Sequence, residues 1–168
     1  MGGGGGRRRR DLTPERVSKL ERVAKETLKR AGEPEKRNVF LSFAHEDLDE
    51  VNLLRGQARN ENSNISFNDW SLREAFDSEK AEYIKRGIRE RIRQSSVTVV
   101  FLSGHTAASR WVDWEIEESI ALGKGVVGMY KGNAPPALLP AAITKHDIPV
   151  VAWNQKELAK AIEREAKG

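Results

Sequence analysis

Residues 109–130 read SRWVDWEIEESIALGKGVVGMY. The first half has the grammar of a helix, the second that of a buried strand. Ser109 is a good N-cap, because its hydroxyl oxygen can accept from the free N–H groups of the first turn. Val112, Ile116 and Ile120 recur every four residues and mark a face to be buried against a sheet. Trp111 and Glu115 are also four apart, so on a helix they lie about 40° from each other on a neighbouring face, which Glu118 extends. The pattern predicts a helix over 109–122, a Gly-Lys-Gly turn, and a strand over 125–130. A helix feeding an apolar run without polar alternation is half of a parallel α/β unit.

Working outward, the same unit repeats. VTVVFLS (97–103) is the most hydrophobic segment and reads as a central strand. Before it, EKAEYIKRGIRERIRQ (79–94) carries Ala81, Ile84, Ile88 and Ile92 at helical spacing. NVFLSF (38–43) is a strand rich in β-formers. EDLDEVNLLRGQAR (46–59) follows as a helix with Leu48, Val51, Leu54 and Ala58 on one face. NISFND (64–69) is a weaker strand, and WSLREAFDS (70–78) a loop. Downstream, Pro135, Pro136 and Pro140 mark a loop, IPVVAW (148–153) a short last strand, and NQKELAKAIEREAK (154–167) a closing helix. Five strands with crossover helices predict an α/β fold: a doubly wound parallel sheet of flavodoxin-like order 2-1-3-4-5.

An extra helix precedes this domain. Thr13 caps it, Pro14 opens it, Gly32 stops it, and Val17, Leu20, Ala24 and Leu28 form a narrow apolar stripe fit to pack on the domain or on a second copy. The expected organisation is a disordered Gly/Arg arm over 1–10, a helix and linker over 11–37, and the α/β domain over 38–168.

The formal net charge is +4, from 29 Lys+Arg against 25 Asp+Glu. Arg7 to Arg10 supply all of that excess. Any attraction to nucleic acid phosphates therefore belongs to the arm and not to the fold. The chain has no cysteine, which excludes disulfides and cysteine-ligated zinc and suits a reducing cytoplasm. His45, His105 and His146 show no metal-ligand spacing, so no metal is expected. No apolar run approaches the roughly 18 residues of a membrane span.

In doubly wound sheets ligands bind at the carboxyl ends of the strands, where strand order reverses. That point gathers Phe43, Ala44 and His45 after the first strand and Ser103, Gly104 and His105 after the third. Asp69 and Trp70, after the second strand, can fold over the same edge. Trp111 and Glu115 face the helix flank near this cleft. Two readings of Glu115 stay open on spacing alone: a working carboxylate, or one of several charges on a solvated helix face with Glu117 and Glu118. Trp111 is equally a core side chain by pattern. His45, Glu46 and Asp47 read as a helix entry. Phosphate-loop, dinucleotide and nucleophile-elbow motifs are absent. A receiver-type phosphoacceptor is not expected, because the third strand ends in Ser103 and the last strand ends in Trp153, followed by Asn154.

NVFLSFAHED resembles the opening of a TIR domain, and SRWVDWEIEESIALGKGVVGMY resembles the TIR segment in which Trp-x-x-x-Glu leads into a helix and a Gly-Lys-strand. Over 38–166 the order of elements is also similar to that of the TIR-like proteins of the bacterial Thoeris anti-phage system. The resemblance implies an enzyme of the NAD nucleosidase or ADP-ribosyl cyclase type, with NAD as substrate and no cofactor. It implies Glu115 as the catalytic carboxylate. Ser42, Phe43, His45, Asp69, Trp70, Ser103 and Trp111 are the candidate substrate contacts. It implies a cyclic ADP-ribose signal, a downstream effector that senses it, and self-association through TIR–TIR contacts. The chain departs from the family pattern at Asn38, where Asp is usual, and at Ala44 and His45, where arginines often stand. A non-enzymatic assembly module and a nucleoside deoxyribosyltransferase-like enzyme are the competing expectations.

Overall fold

The structure is a computed structural model that describes residues 13–32, 37–60, 65–68 and 76–166. The Gly/Arg arm, Asp69 and Trp70 lie outside the described residues. The chain divides into two compact units, Met1–Glu35 and Lys36–Gly168. The first holds helix α1, Pro14–Gly32, whose opening turn is capped by Thr13: its Oγ1 accepts from Arg16 N–H at 3.4 Å.

The second unit is built on a parallel sheet of β1 (Arg37–Ser42), β2 (Ile65–Asn68), β3 (Val97–Leu102), β4 (Gly125–Tyr130) and β5 (Val150–Ala152), in the order β2-β1-β3-β4-β5. The connections are α2 (Leu48–Asn60), α3 (Ala81–Arg93), α4 (Arg110–Ala121) and the short α5 (Ala141–Lys145); α6 (Gln155–Ala166) closes the unit. Strand order reverses between β1 and β3, which pair from Val39↔Val97 to Ser42↔Val100.

β3 is buried along its whole length, and its side chains divide by parity between two layers. Val97, Val99 and Phe101 join Val39, Leu41 and Phe43 in a cluster closed by Val51 and Leu54 of α2 and by Leu158, Ala161 and Ile162 of α6. Val100 and Leu102 point the other way, onto Val112 and Ile116 of α4 and Ala142 and Ile143 of α5. On that same side Phe40 packs with Ala81, Ile84, Ile88 and Ile92 of α3 and with Trp111. Each fully buried Leu, Ile or Phe contributes about 1.5–3 kcal/mol, so these layers dominate stability.

Two glycines permit this packing. A Cβ on Gly125 would stand 2.6 Å from the backbone oxygen of Glu165, so α6 approaches β4 more closely than any side chain there would allow. A Cβ on Gly128 would meet Leu102 Cδ1 at 2.9 Å.

Three elements differ from the sequence reading. The loop expected before the last strand contains α5, whose Ala142 N–H donates to Asp113 Oδ1 of α4 at 3.0 Å. That cap comes from a distant residue, so local sequence does not announce it. β5 is shorter than 148–153, although pairing continues past both ends: Gly128 N–H donates to Pro149 O at 2.8 Å and Trp153 N–H to Tyr130 O at 2.6 Å. Ile120, expected to be buried with Val112 and Ile116, is only partly covered at the edge of its cluster.

Candidate active site

Ser109 starts α4 as its spacing implies: its Oγ accepts from Val112 N–H at 3.3 Å. The helix then buries Trp111, Val112, Glu115, Ile116 and Ser119. On the helical wheel Glu115 falls between Trp111, which packs toward α3, and Ser119, which faces the sheet. Its exposure is 0 %. The solvated-face reading of Glu115 is therefore overturned. Glu117 and Glu118, by contrast, keep partial exposure and sit in ion pairs with Lys145 and Arg89.

Burying a carboxylate is costly, and a domain retains one where structure or chemistry uses it. Among the described residues Glu115 and Asp47 are the buried acidic side chains.

The sheet brings a second polar group to the same side. Along β1, Val39, Leu41 and Phe43 face α2 and α6, whereas Phe40 faces α3 and α4. Ser42 has the parity of Phe40, so its side chain lies on the α3–α4 side. It is 0 % exposed, and its Oγ has no hydrogen-bond partner among the described residues. An unmade buried hydroxyl bond costs roughly 1–3 kcal/mol, a deficit that a bound polar ligand would relieve.

Trp111 walls this region. It is 8 % exposed and meets Phe76 edge-on at 5.0 Å and Trp114 at 6.1 Å between ring centroids. Lys85 Nζ stands 4.3 Å from the Phe76 centroid and 5.6 Å from that of Trp114, a stacking that ties α3 to α4.

The other sequence candidates are distributed differently. Phe43 is a core side chain on the opposite sheet face from Trp111. His45 is exposed in the turn His45–Asp47. Ser103 lies at the carboxyl end of β3, where its Oγ donates to Asp47 Oδ2 and accepts from His105 N–H at 3.0 Å. The structure thus brings Ser42, Trp111 and Glu115 to one side and leaves Phe43 on the other.

Asp47, which reads in the sequence as part of a helix entry, is a buried group at the switch point. It is 6 % exposed, and burial raises its carboxyl above the ordinary carboxylate range, the Ser103 hydroxyl and then the charge of His105 opposing that shift. The signal available was its position four residues past the end of a strand at the switch point. Nothing local separated it from Glu46.

A groove of about 430 Å³ opens beside the start of α4, with Phe76, Ala108, Arg110, Asp113, Trp114 and Glu117 among its walls. Glu115 is not one of them. Glu117 is held there by His146 Nε2 at 3.0 Å and Lys145 Nζ at 3.2 Å, and the His146 contact leads in lowering its carboxyl below the ordinary range. No group of three or more His, Cys, Asp or Glu able to hold a metal occurs among the described residues. No described helix is long and apolar enough to cross a membrane.

The site belongs to a doubly wound parallel α/β domain and places a buried glutamate one turn after a tryptophan, on the helix that follows the switch-point strand β3. The model of the family described as "Thoeris protein ThsB, TIR-like domain" matches residues 40–135, more than half of the chain, and the chain belongs to that family. No protein of curated function matches it. Among solved structures, it is similar to a CMP N-glycosidase, BcmB, from Clostridium botulinum: 15% identity, TM-score 0.47, covering 76% of this chain and 98% of that one. It is also similar to the TIR domain of a Toll-related receptor from Hydra magnipapillata, at 16% identity and TM-score 0.47, covering 75% and 91%. The TIR domains of the activated Roq1 resistosome give 21% identity and TM-score 0.42, covering 78% and 82%. The family assignment rests on the family match alone.

Proposed function

We propose that this chain cleaves the nicotinamide–ribose bond of NAD and closes the remaining ADP-ribose into a cyclic signal for a downstream effector in cytoplasmic anti-phage defence. The observation that carries the reading is the complete burial of Glu115 on the helix of the Trp111-x-x-x-Glu115 motif, on the sheet face that also holds the Ser42 hydroxyl. The family membership supports it.

The chemistry asks little of the protein beyond placement and charge. The bond between ribose C1′ and the ring nitrogen breaks, and its electron pair neutralises the pyridinium, so nicotinamide leaves without a proton donor. Positive charge develops on the ribose, as in glycoside cleavage, and the Glu115 carboxylate offsets it and holds the ribose hydroxyls. Ser42 offers a hydroxyl to the same sugar, and Trp111 walls the ring. A nucleophilic atom of the same ADP-ribose then attacks C1′. Water must be kept away for that internal attack to win, and a carboxylate with 0 % exposure is consistent with such a place.

The same burial means that the packing around Glu115 must move before ribose reaches it. The isolated chain is therefore expected to turn over slowly and to speed up on self-association. The test is chromatography of NAD incubated with the protein over a range of protein concentrations. Nicotinamide and a cyclic ADP-ribose in equal amounts, with a rate per chain that rises with concentration, are expected. Base exchange on free nucleosides with NAD untouched would instead support the deoxyribosyltransferase-like reading, and no turnover of either substrate an assembly module.

A further inference from the structure

We infer that Thr98 and Ser119 are positioning residues for Glu115: a directed hydrogen-bond relay from the central strand that fixes where α4 carries its carboxylate. The inference rests on the functional reading above and adds residues that the Trp-x-x-x-Glu motif does not contain.

Ser119 Oγ lies 2.7 Å from the backbone oxygen of Glu115 and 2.7 Å from Thr98 Oγ1. Both hydroxyl side chains are 0 % exposed. The direction of the relay follows from proton counting. A carbonyl oxygen only accepts, so the single hydroxyl proton of Ser119 goes to Glu115 O. Ser119 Oγ must then accept, and Thr98 Oγ1 is the donor. The relay runs from β3 to Ser119 to the main chain of Glu115.

Its placement is specific. Thr98 is the polar residue on the α4 side of β3, sharing that side with Val100 and Leu102. Those apolar neighbours bury α4 through Val112 and Ile116, but apolar contact is non-directional and aligns no particular backbone group of the helix. A hydrogen bond has a preferred direction and length. This one ends on the residue whose carboxylate has to be placed. A serine that bonds back to the carbonyl four residues earlier also shapes the helix locally, at the turn that carries Glu115.

A purely structural relay and a positioning relay predict different outcomes. Ser119→Ala leaves the Thr98 hydroxyl buried without an acceptor and lowers Tm. Adding Thr98→Val removes that hydroxyl and restores Tm. Positioning predicts that activity does not return with it: kcat for nicotinamide release stays about tenfold below wild type in Ser119→Ala and in the double variant, with KM within about twofold. Thr98→Ser keeps the donor while losing a methyl group. It is expected to lower Tm yet retain wild-type kcat.

A second readout needs no turnover. In the full-length protein with carbon-labelled glutamate, the carboxyl resonance of Glu115, assigned with Glu115→Gln, is expected to shift in the double variant and to stay in place in Thr98→Ser. Activity that tracks Tm across the three variants, or a Glu115 resonance in the double variant identical to wild type, would overturn the inference. A wild-type protein that releases no nicotinamide would overturn the functional reading alone, and the resonance comparison would still decide the relay.

Discussion

Ser103 Oγ donates a hydrogen bond of 2.5 Å to Asp47 Oδ2 and so joins the turn after β1 to the end of β3, across the point where strand order reverses. Burial holds the Asp47 carboxyl above its ordinary range, and the Ser103 hydroxyl draws it only part of the way back. A carboxyl raised on folding binds its proton more tightly in the folded chain. The associated stability is present below the unfolded value and is lost as pH rises through the folded one. Asp47→Asn keeps an acceptor for Ser103 and removes the titration. Denaturant unfolding from about pH 4 upward should therefore show the variant gaining stability relative to wild type as pH rises. A difference that does not change with pH would contradict this.

Glu117 titrates in the opposite sense. His146 and Lys145 lower its carboxyl, so its contribution is present above the ordinary carboxylate range and is lost as pH falls through the folded value. Glu117→Gln should lose stability relative to wild type near neutral pH, with the two converging in acid. The pair is partly exposed, so added salt should shrink the difference.

The close approach of α6 to β4 sets a third expectation. Gly125→Ala puts a methyl group 2.6 Å from a backbone oxygen, where no flexible side chain can give way. A loss of about 1–3 kcal/mol is expected in chemical denaturation. Gly104→Ala, with open space around the new Cβ, serves as the control and should remain near wild type.

Much of this architecture was legible in the chain because burial on both faces writes apolar runs and one-sided burial writes four-residue spacing. Ala81, Ile84, Ile88 and Ile92 were readable as the buried face of α3 for that reason, and Val112 and Ile116 as that of α4. Helix α5 was not legible, because its cap comes from Asp113, 29 residues away from Ala142. The site was legible only in part. The Trp111–Glu115 spacing fixed one face, but whether that face met water or protein depends on α3, which no local pattern reveals. Phe43 and Ser42 looked equivalent as strand-end residues. Their opposite fates follow from alternation once the two layers are assigned, Phe43 to the α2–α6 core and Ser42 to the side of Glu115. Asp47 was missed because its partner, Ser103, lies 56 residues further along.

Ser42 offers a test of function against stability. Its hydroxyl is buried with no bond among the described residues, so Ser42→Ala should leave Tm unchanged or raise it. If the hydroxyl serves the ribose, nicotinamide release should fall about tenfold in the same variant. A stable variant with full activity would remove Ser42 from the site.

Trp111 needs a more careful substitution. It packs in the core with Phe40, Ile84 and Ile88, so Trp111→Ala is expected to cost about 3–5 kcal/mol and to lower activity through unfolding alone. Trp111→Phe retains an aromatic ring and should fold. Its ratio of kcat to KM then reports on the substrate wall, read against thermal melting of the same sample.

The account depends on the Glu115 carboxylate, and Glu115→Gln replaces it with a neutral group of nearly the same shape. The direct measurement is nicotinamide release from NAD by wild type and Glu115→Gln at matched high concentration, with folding of both verified by circular dichroism. The account predicts release by wild type and a loss of at least about 100-fold in the variant. Equal release by the two folded proteins would contradict it.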